Sequence, residues 1–308
     1  MKSKDCYEIQ KLSQSIRDWK QNTESTDCKL GTIQRSDACS IEISACLPNN
    51  IKGYIAKNPT EAGPNCFNAG LVFLGLLPNL RFSTADEVNF YMNSALCRKR
   101  NPGEQPMTGD LGLISMAGRE QSHSAQHAFI YLSEDFVYEK PDQHKESPFT
   151  IVYKNKTFVE YGLDSNTGTP NENPIYKGID RKLTYYSCIS AREYLGDKPD
   201  VPDVLLKLWN EIDVVEKCFE EFTMTHAPFT LDARKNILDV AKALTSYLKN
   251  EKNTDGNHDK EKSEFMIASL QLKLKAISEN LSPTRKIVKT DADLSKFAET
   301  LKKSLDQK

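Results

Sequence analysis

The chain has 308 residues, 27% of them charged and 38% hydrophobic, which is the balance of a globular protein and not of a disordered or membrane-embedded one. A formal net charge of −2 supplies no long-range field that would draw the molecule onto nucleic acid or anionic lipid, so no nucleic-acid partner is expected. The longest apolar run, Ala69 to Leu77, falls far short of the roughly 20 residues a membrane-crossing helix needs, so no membrane span is expected either.

In chain order, Met1 to Asp5 leads straight into a polar amphipathic stretch with no hydrophobic leader. Either there is no signal peptide or the sequence begins after its cleavage site. Four of the eight cysteines, Cys6, Cys28, Cys39 and Cys46, crowd into a segment too short and polar to build its own core. That is where disulfides are used, and it favours an exported, secreted or periplasmic protein. No Cys-x2-Cys pair occurs and no histidine stands at ligand spacing from a cysteine, so neither a metal nor a cofactor is expected.

From about Ile51 to Cys188 the chain carries short β-branched and aromatic runs separated by turn-rich sequence. The runs at Ile114, His127 to Leu132, Phe136 to Glu139, Phe149 to Tyr153, Thr157 to Tyr161 and Leu183 to Ser187 predict strands of a small antiparallel sheet. Beyond Pro202 the period changes. Leu205, Leu208, Ile212, Val215, Phe219 and Phe222 recur at helical steps, as do Ile237, Val240, Leu244 and Leu248 behind a Thr230 cap. Met266, Leu270, Leu274, Ile277 and Leu281 make a third stripe, and Leu294, Phe297, Leu301 and Leu305 suggest a short fourth helix. The chain thus divides into a cysteine-rich extension (1–50), an α+β domain (51–197) and a helical hairpin or bundle (198–308), which would dock on that domain or recruit a protein partner.

The turn formers Gly63-Pro64-Asn65 followed by an apolar run place Cys66 at a helix start, where the partial positive charge favours thiolate over thiol. Downstream come Gly109-Asp110 opening a strand, His127 opening another, and Glu139 on the strand after that. His123 lies in a polar loop and His144 in an exposed turn, so both read as solvated. Cys97 and Cys188 read as buried thiols or as partners of the amino-terminal cysteines. With Cys66 set aside seven cysteines remain, so at least one is unpaired, and Cys218, on a helix, is the candidate.

This order of pieces resembles the NlpC/P60 superfamily of papain-like cysteine peptidases, over about residues 51–188. In that family a helix-start cysteine is followed by a Gly-Asp strand, a strand opening with the catalytic histidine, and a hairpin partner carrying a third polar residue. A tyrosine commonly precedes the cysteine by about a dozen residues, as Tyr54 does here, and the third residue follows the histidine by a similar interval, as Glu139 does. The resemblance implies a central antiparallel sheet and a cysteine hydrolase of amide bonds, with peptidoglycan stem peptides as substrate. Cys66 would be nucleophile, His127 base and Glu139 the group orienting the base; Tyr54 would donate to the oxyanion beside the Cys66 backbone N–H. The family's Asp-Cys-Ser-Gly is Asn65-Cys66-Phe67-Asn68 here, and Ile55, Ala56 and Lys57 replace the Trp-Gly-Gly after the tyrosine. Glutamate also stands where histidine, asparagine or glutamine is commoner. Two alternatives stay open: a non-catalytic binding module on the same fold, and an acyltransferase or deamidase.

Overall fold

The computed structural model describes residues 2–3, 6–22, 31–34, 39–43, 46–61, 63–116, 125–170, 180–225, 227, 229–250, 258–280, 300–301 and 303. Its amino-terminal part holds β1 (Lys2–Ser3), α1 (Cys6–Asn22), β2 (Gly31–Gln34) and β3 (Cys39–Glu42), the strands forming a small antiparallel sheet ordered β1-β3-β2. Ile9, Leu12 and Ile16 of α1 repeat at helical steps and are buried in the main core, so this segment borrows a core it is too short to make.

Next come α2 (Asn49–Lys52), α3 (Cys66–Phe73), α4 (Ala85–Asn93), β4 (Cys97–Lys99), β5 (Leu111–Met116), β6 (Ala125–Tyr131), β7 (Phe136–Glu139) and β8 (Thr150–Tyr153). They are followed by α5 (Lys154–Glu160), β9 (Arg181–Cys188) and α6 (Ala191–Leu195), and then by three long helices, α7 (Asp203–Thr225), α8 (Leu231–Asn250) and α9 (Lys260–Asn280). The fold is therefore α+β, with one six-stranded antiparallel sheet ordered β4-β9-β5-β6-β7-β8.

Strand alternation divides the sheet's side chains between two layers. Leu111, Leu113, Ala128, Ile130, Phe136 and Tyr138 enter the main core, where α3 packs, while Ile114, Phe129 and Val137 join Phe158 and Leu163 in a smaller cluster on the opposite face. All eight residues of α3 are buried, as expected of a helix apolar on every side. Gly112 lets the Phe129 ring lie across it, since a Cβ there would come within 2.3 Å of that ring.

The carboxy-terminal stripes fall where their periodicity predicts, and the Thr230 hydroxyl caps α8 by accepting from the Ala233 N–H at 3.2 Å. Leu281 of the third stripe and most of the expected fourth helix lie outside the described residues. A fully buried Arg81 joins the two parts of the chain: it is ion-paired with Glu87 of α4 and Glu216 of α7, each at 2.6 Å. Glu216 also meets Lys273 of α9 at 3.3 Å, and Lys273 meets Asp213 at 2.6 Å. Arg81, Glu87, Glu216 and Lys273 are buried and Asp213 is half-buried, each beside a counter-charge, the condition under which burying charge is tolerable.

Two expectations need correction. Thr157 to Tyr161 is not a strand: Thr157 falls in α5 and Tyr161 caps it, so the two stand one helical turn apart on the same side. Its β-branched and aromatic residues bury Thr157 and Phe158 against the sheet, and that packing outweighs their strand propensity. Cys97 and Cys188 are neither thiols nor partners of the amino-terminal group, for they are bonded to each other across paired positions of β4 and β9. Cys6 and Cys46 are each disulfide-bonded, while Cys66 and Cys218 are free.

Candidate active site

The nucleophile candidate is set by a capped helix. Asn65, extended at φ −123°, accepts the Asn68 N–H at 3.1 Å through its side chain, starting α3 at Cys66. The first-turn N–H groups and the helix dipole thus point toward the residue carrying the sulfur, an arrangement that favours negative charge there. The preceding loop is pinned where the Gly63 N–H donates to the Gln143 carbonyl at 3.1 Å.

The base candidate is set by strand register. Ile114 pairs with His127 but Ser115 pairs with Ala125, leaving Gln126 as an extra residue beside the histidine. Such a bulge re-aims the neighbouring side chain. Alternation then puts His127 on the sheet face of the smaller cluster, together with Phe129 and, from β7, Val137 and Glu139.

His127 is fully buried, with Nε2 2.8 Å from Glu139 Oε2. The same carboxylate oxygen accepts the Thr157 hydroxyl at 3.0 Å, so Glu139 is held from both sides. Nε2 being committed, Nδ1 is the ring atom left for the sulfur. It is buried and makes no hydrogen bond, yet Cys66 stands near enough for its charge to act on the ring. Burial pulls the imidazole pKa down, but Cys66 and then Glu139 outweigh it, and the net effect pushes the ring up to about 9.

Two further groups surround this pair. Tyr161 stacks on His127 with ring centroids 4.2 Å apart and planes inclined by 16°, and its hydroxyl donates to the Pro141 carbonyl at 3.3 Å. Burial holds the Tyr161 phenol well above its usual pKa, and the charges of Cys66, Glu160 and Glu139 add to the effect. Lys140 is buried next to Glu139, its ammonium donating to the carbonyls of Asp142 at 2.7 Å and His144 at 2.8 Å. Burial pushes its pKa down to about 8, against the opposing pull of Asp142, Cys66 and Glu146.

The structure therefore brings Cys66, His127 and Glu139 together. Tyr54 is committed elsewhere: its hydroxyl donates to Glu220 of α7 at 2.6 Å. His144 contributes only backbone to the site, and His123 lies outside the described residues. Sequence reasoning missed Thr157, Tyr161 and Lys140. The four-residue spacing of the first two would have placed them on one side of a helix had that segment not been read as a strand. Lys140 carries no such signal.

Among the described residues, no group of three or more His, Cys, Asp or Glu side chains could hold a metal ion, and no helix is long and apolar enough to cross a membrane. The chain matches no family model, no curated protein and no solved structure.

Proposed function

We propose that this chain is an exported cysteine hydrolase of amide bonds, built on a papain-like NlpC/P60 domain and acting on peptidoglycan stem peptides. One observation carries the reading: a free cysteine at a helix start interacts with a buried histidine whose far nitrogen is held by a carboxylate. The amide-cleaving mechanism needs these three roles and no cofactor. The Cys66 thiolate attacks the carbonyl carbon. The resulting oxyanion is stabilised by the Cys66 backbone N–H at the helix start. The His127 imidazolium gives its proton to the departing amine, and the neutral ring then takes a proton from the water that releases the acyl group. Glu139 fixes the ring's tautomer and favours its charged form. Export is supported by the Cys97–Cys188 disulfide, a bond that persists in oxidising compartments. The substrate rests on the sequence resemblance alone.

The test is mass spectrometry of purified cell-wall peptides incubated with the parent protein and with Cys66→Ala. New amine and carboxyl termini with the parent, and none with the variant, are expected. Equal cleavage by both proteins would refute the nucleophile. A parent that leaves the peptides intact, and whose Cys66 alkylates only with the profile of an ordinary thiol near pH 8.5, would make the domain a binding module.

A further inference from the structure

We propose that the carboxy-terminal helices position the nucleophile: Asn280 of α9 and Glu216 of α7 fix the segment Arg81 to Ser83, which in turn holds Asn65 and so sets Cys66 against His127. This rests on the hydrolase reading and adds to it a role for a region otherwise distant from the chemistry.

Three consecutive peptide N–H groups each end on an asparagine side chain. Arg81 N–H donates to Asn68 Oδ1 at 3.0 Å, Phe82 N–H to Asn280 Oδ1 at 3.0 Å, and Ser83 N–H to Asn65 Oδ1 at 3.2 Å. Two of these asparagines also take the matching carbonyl. Asn280 Nδ2 donates to Phe82 O at 3.2 Å, and Asn65 Nδ2 donates to Ser83 O at 2.8 Å. Asn65 and Asn280 thus grip adjacent residues of one buried segment, each as a peptide mimic bonded through both its oxygen and its nitrogen. Asn65 and Asn68 flank Cys66 at the start of α3, whereas Asn280 ends α9, 198 residues from the segment it grips.

Arg81 supplies the second attachment. Its guanidinium donates to Glu216 at 2.6 Å and to both oxygens of Glu87 at 2.8 and 2.6 Å, and it reaches the Phe82 carbonyl at 2.9 Å. Every one of these partners is buried, so letting go strands a polar group in the core, and the segment has one favourable place. The Asn65 carboxamide oxygen is the pivot: it accepts from Asn68 N–H as the helix cap and from Ser83 N–H as the anchor. If the 81–83 segment shifts, the cap shifts, and with it the sulfur. Displacement of a reacting atom by about 1 Å costs on the order of 10²-fold in rate.

The test uses the full chain and reads Cys66 alkylation by iodoacetamide as a function of pH, peptide by peptide, with Cys218 as the internal reference thiol. Asn280→Ala is expected to slow Cys66 alkylation at pH 6 by about tenfold and to move the midpoint of its profile upward. Ser269→Ala is the control for loss of stability alone. It removes a buried hydrogen bond between α9 and Tyr91, at 2.8 Å, and touches nothing in 81–83. It is expected to lower Tm and leave the profile where it was. A folded Asn280→Ala protein with the parental profile, or an equal shift in Ser269→Ala, overturns the proposal. Should Asn280→Ala fail to fold, Asn280→Ser keeps a hydroxyl but cannot span both Phe82 groups. It is expected to show the same shift, and a parental profile in it overturns the proposal equally. If the parent's Cys66 itself alkylates like an ordinary thiol, the hydrolase reading falls and takes this proposal with it. A fast parent with unmoved variants sinks only the positioning role.

Discussion

The two halves of the candidate site are held by different means. His127 is placed locally, by strand register, by a carboxylate 12 residues on, and by Thr157 of the helix after the next strand. Cys66 is placed from afar, through a cap anchored to a segment that α7 and α9 hold at separations of 135 and 198 residues. The base half is therefore held within the sheet and the helix covering it, whereas the nucleophile half also leans on the carboxy-terminal helices. This difference makes distinct demands on substitutions in the two halves.

The largest effect is expected on the nucleophile side. Glu216→Ala removes the carboxylate that Arg81 and Lys273 share in the core and leaves two buried cations short of a partner. Breaking a buried ion pair from one side typically costs about 3–5 kcal/mol. Urea unfolding should show a loss of that order, although Glu216 belongs to neither the sheet nor the nucleophile helix. An unfolding midpoint within error of the parent would mean that α7 does not hold the segment behind the nucleophile in this way.

On the base side the larger effect should be on rate and pH. Glu139→Gln keeps a hydrogen-bonding oxygen at Nε2 but removes the negative charge that helps hold the ring's proton. Because Cys66 and Glu139 push the folded imidazole up to about 9, the thiolate–imidazolium pair should persist until the pH approaches that value. The alkaline limb of the parent's kcat profile is expected near pH 9. Glu139→Gln should move it down toward the ordinary histidine value and lower kcat at pH 7 by about 10²-fold, the usual scale for impaired acid–base catalysis. An unmoved limb would remove Glu139 from the mechanism.

The same contrast explains what the sequence makes legible. The strands holding His127 and Glu139 can be read from β-branched and aromatic runs, and three of the helical stripes from their period, because both signals are local. The start of α3 can be read from Gly63-Pro64-Asn65, since turn formers before an apolar run mark a helix whatever surrounds it. That the Asn65 side chain also grips Ser83 cannot be read so, nor that Tyr54 spends its hydroxyl on Glu220, 166 residues away. Those contacts are decided by tertiary packing. Thr157 to Tyr161 fails for the same reason: its composition favours a strand, and only the vacancy of the His127 face for a covering helix decides otherwise. Cys97 and Cys188, 91 residues apart, pair because β4 and β9 become neighbours, a topology that cysteine spacing does not encode.

The smallest expected effect is also the most discriminating within the base half. Thr157→Val keeps the shape of the side chain and deletes its hydrogen bond to Glu139, for about 2 kcal/mol of stability, the scale of a bond to a charged group. That donor helps stabilise the carboxylate, so without it the charge on Glu139 draws more strongly on the imidazole proton. The alkaline limb should therefore move slightly upward in Thr157→Val, opposite to its movement in Glu139→Gln, while kcat falls only a few-fold and KM stays put. If Glu139 served merely as a spacer locating the ring, both variants would loosen the histidine alike and the limb would move in one direction. Opposed shifts in a pair of pH–rate profiles require that it is the charge of Glu139, and not its bulk, that governs the proton on His127.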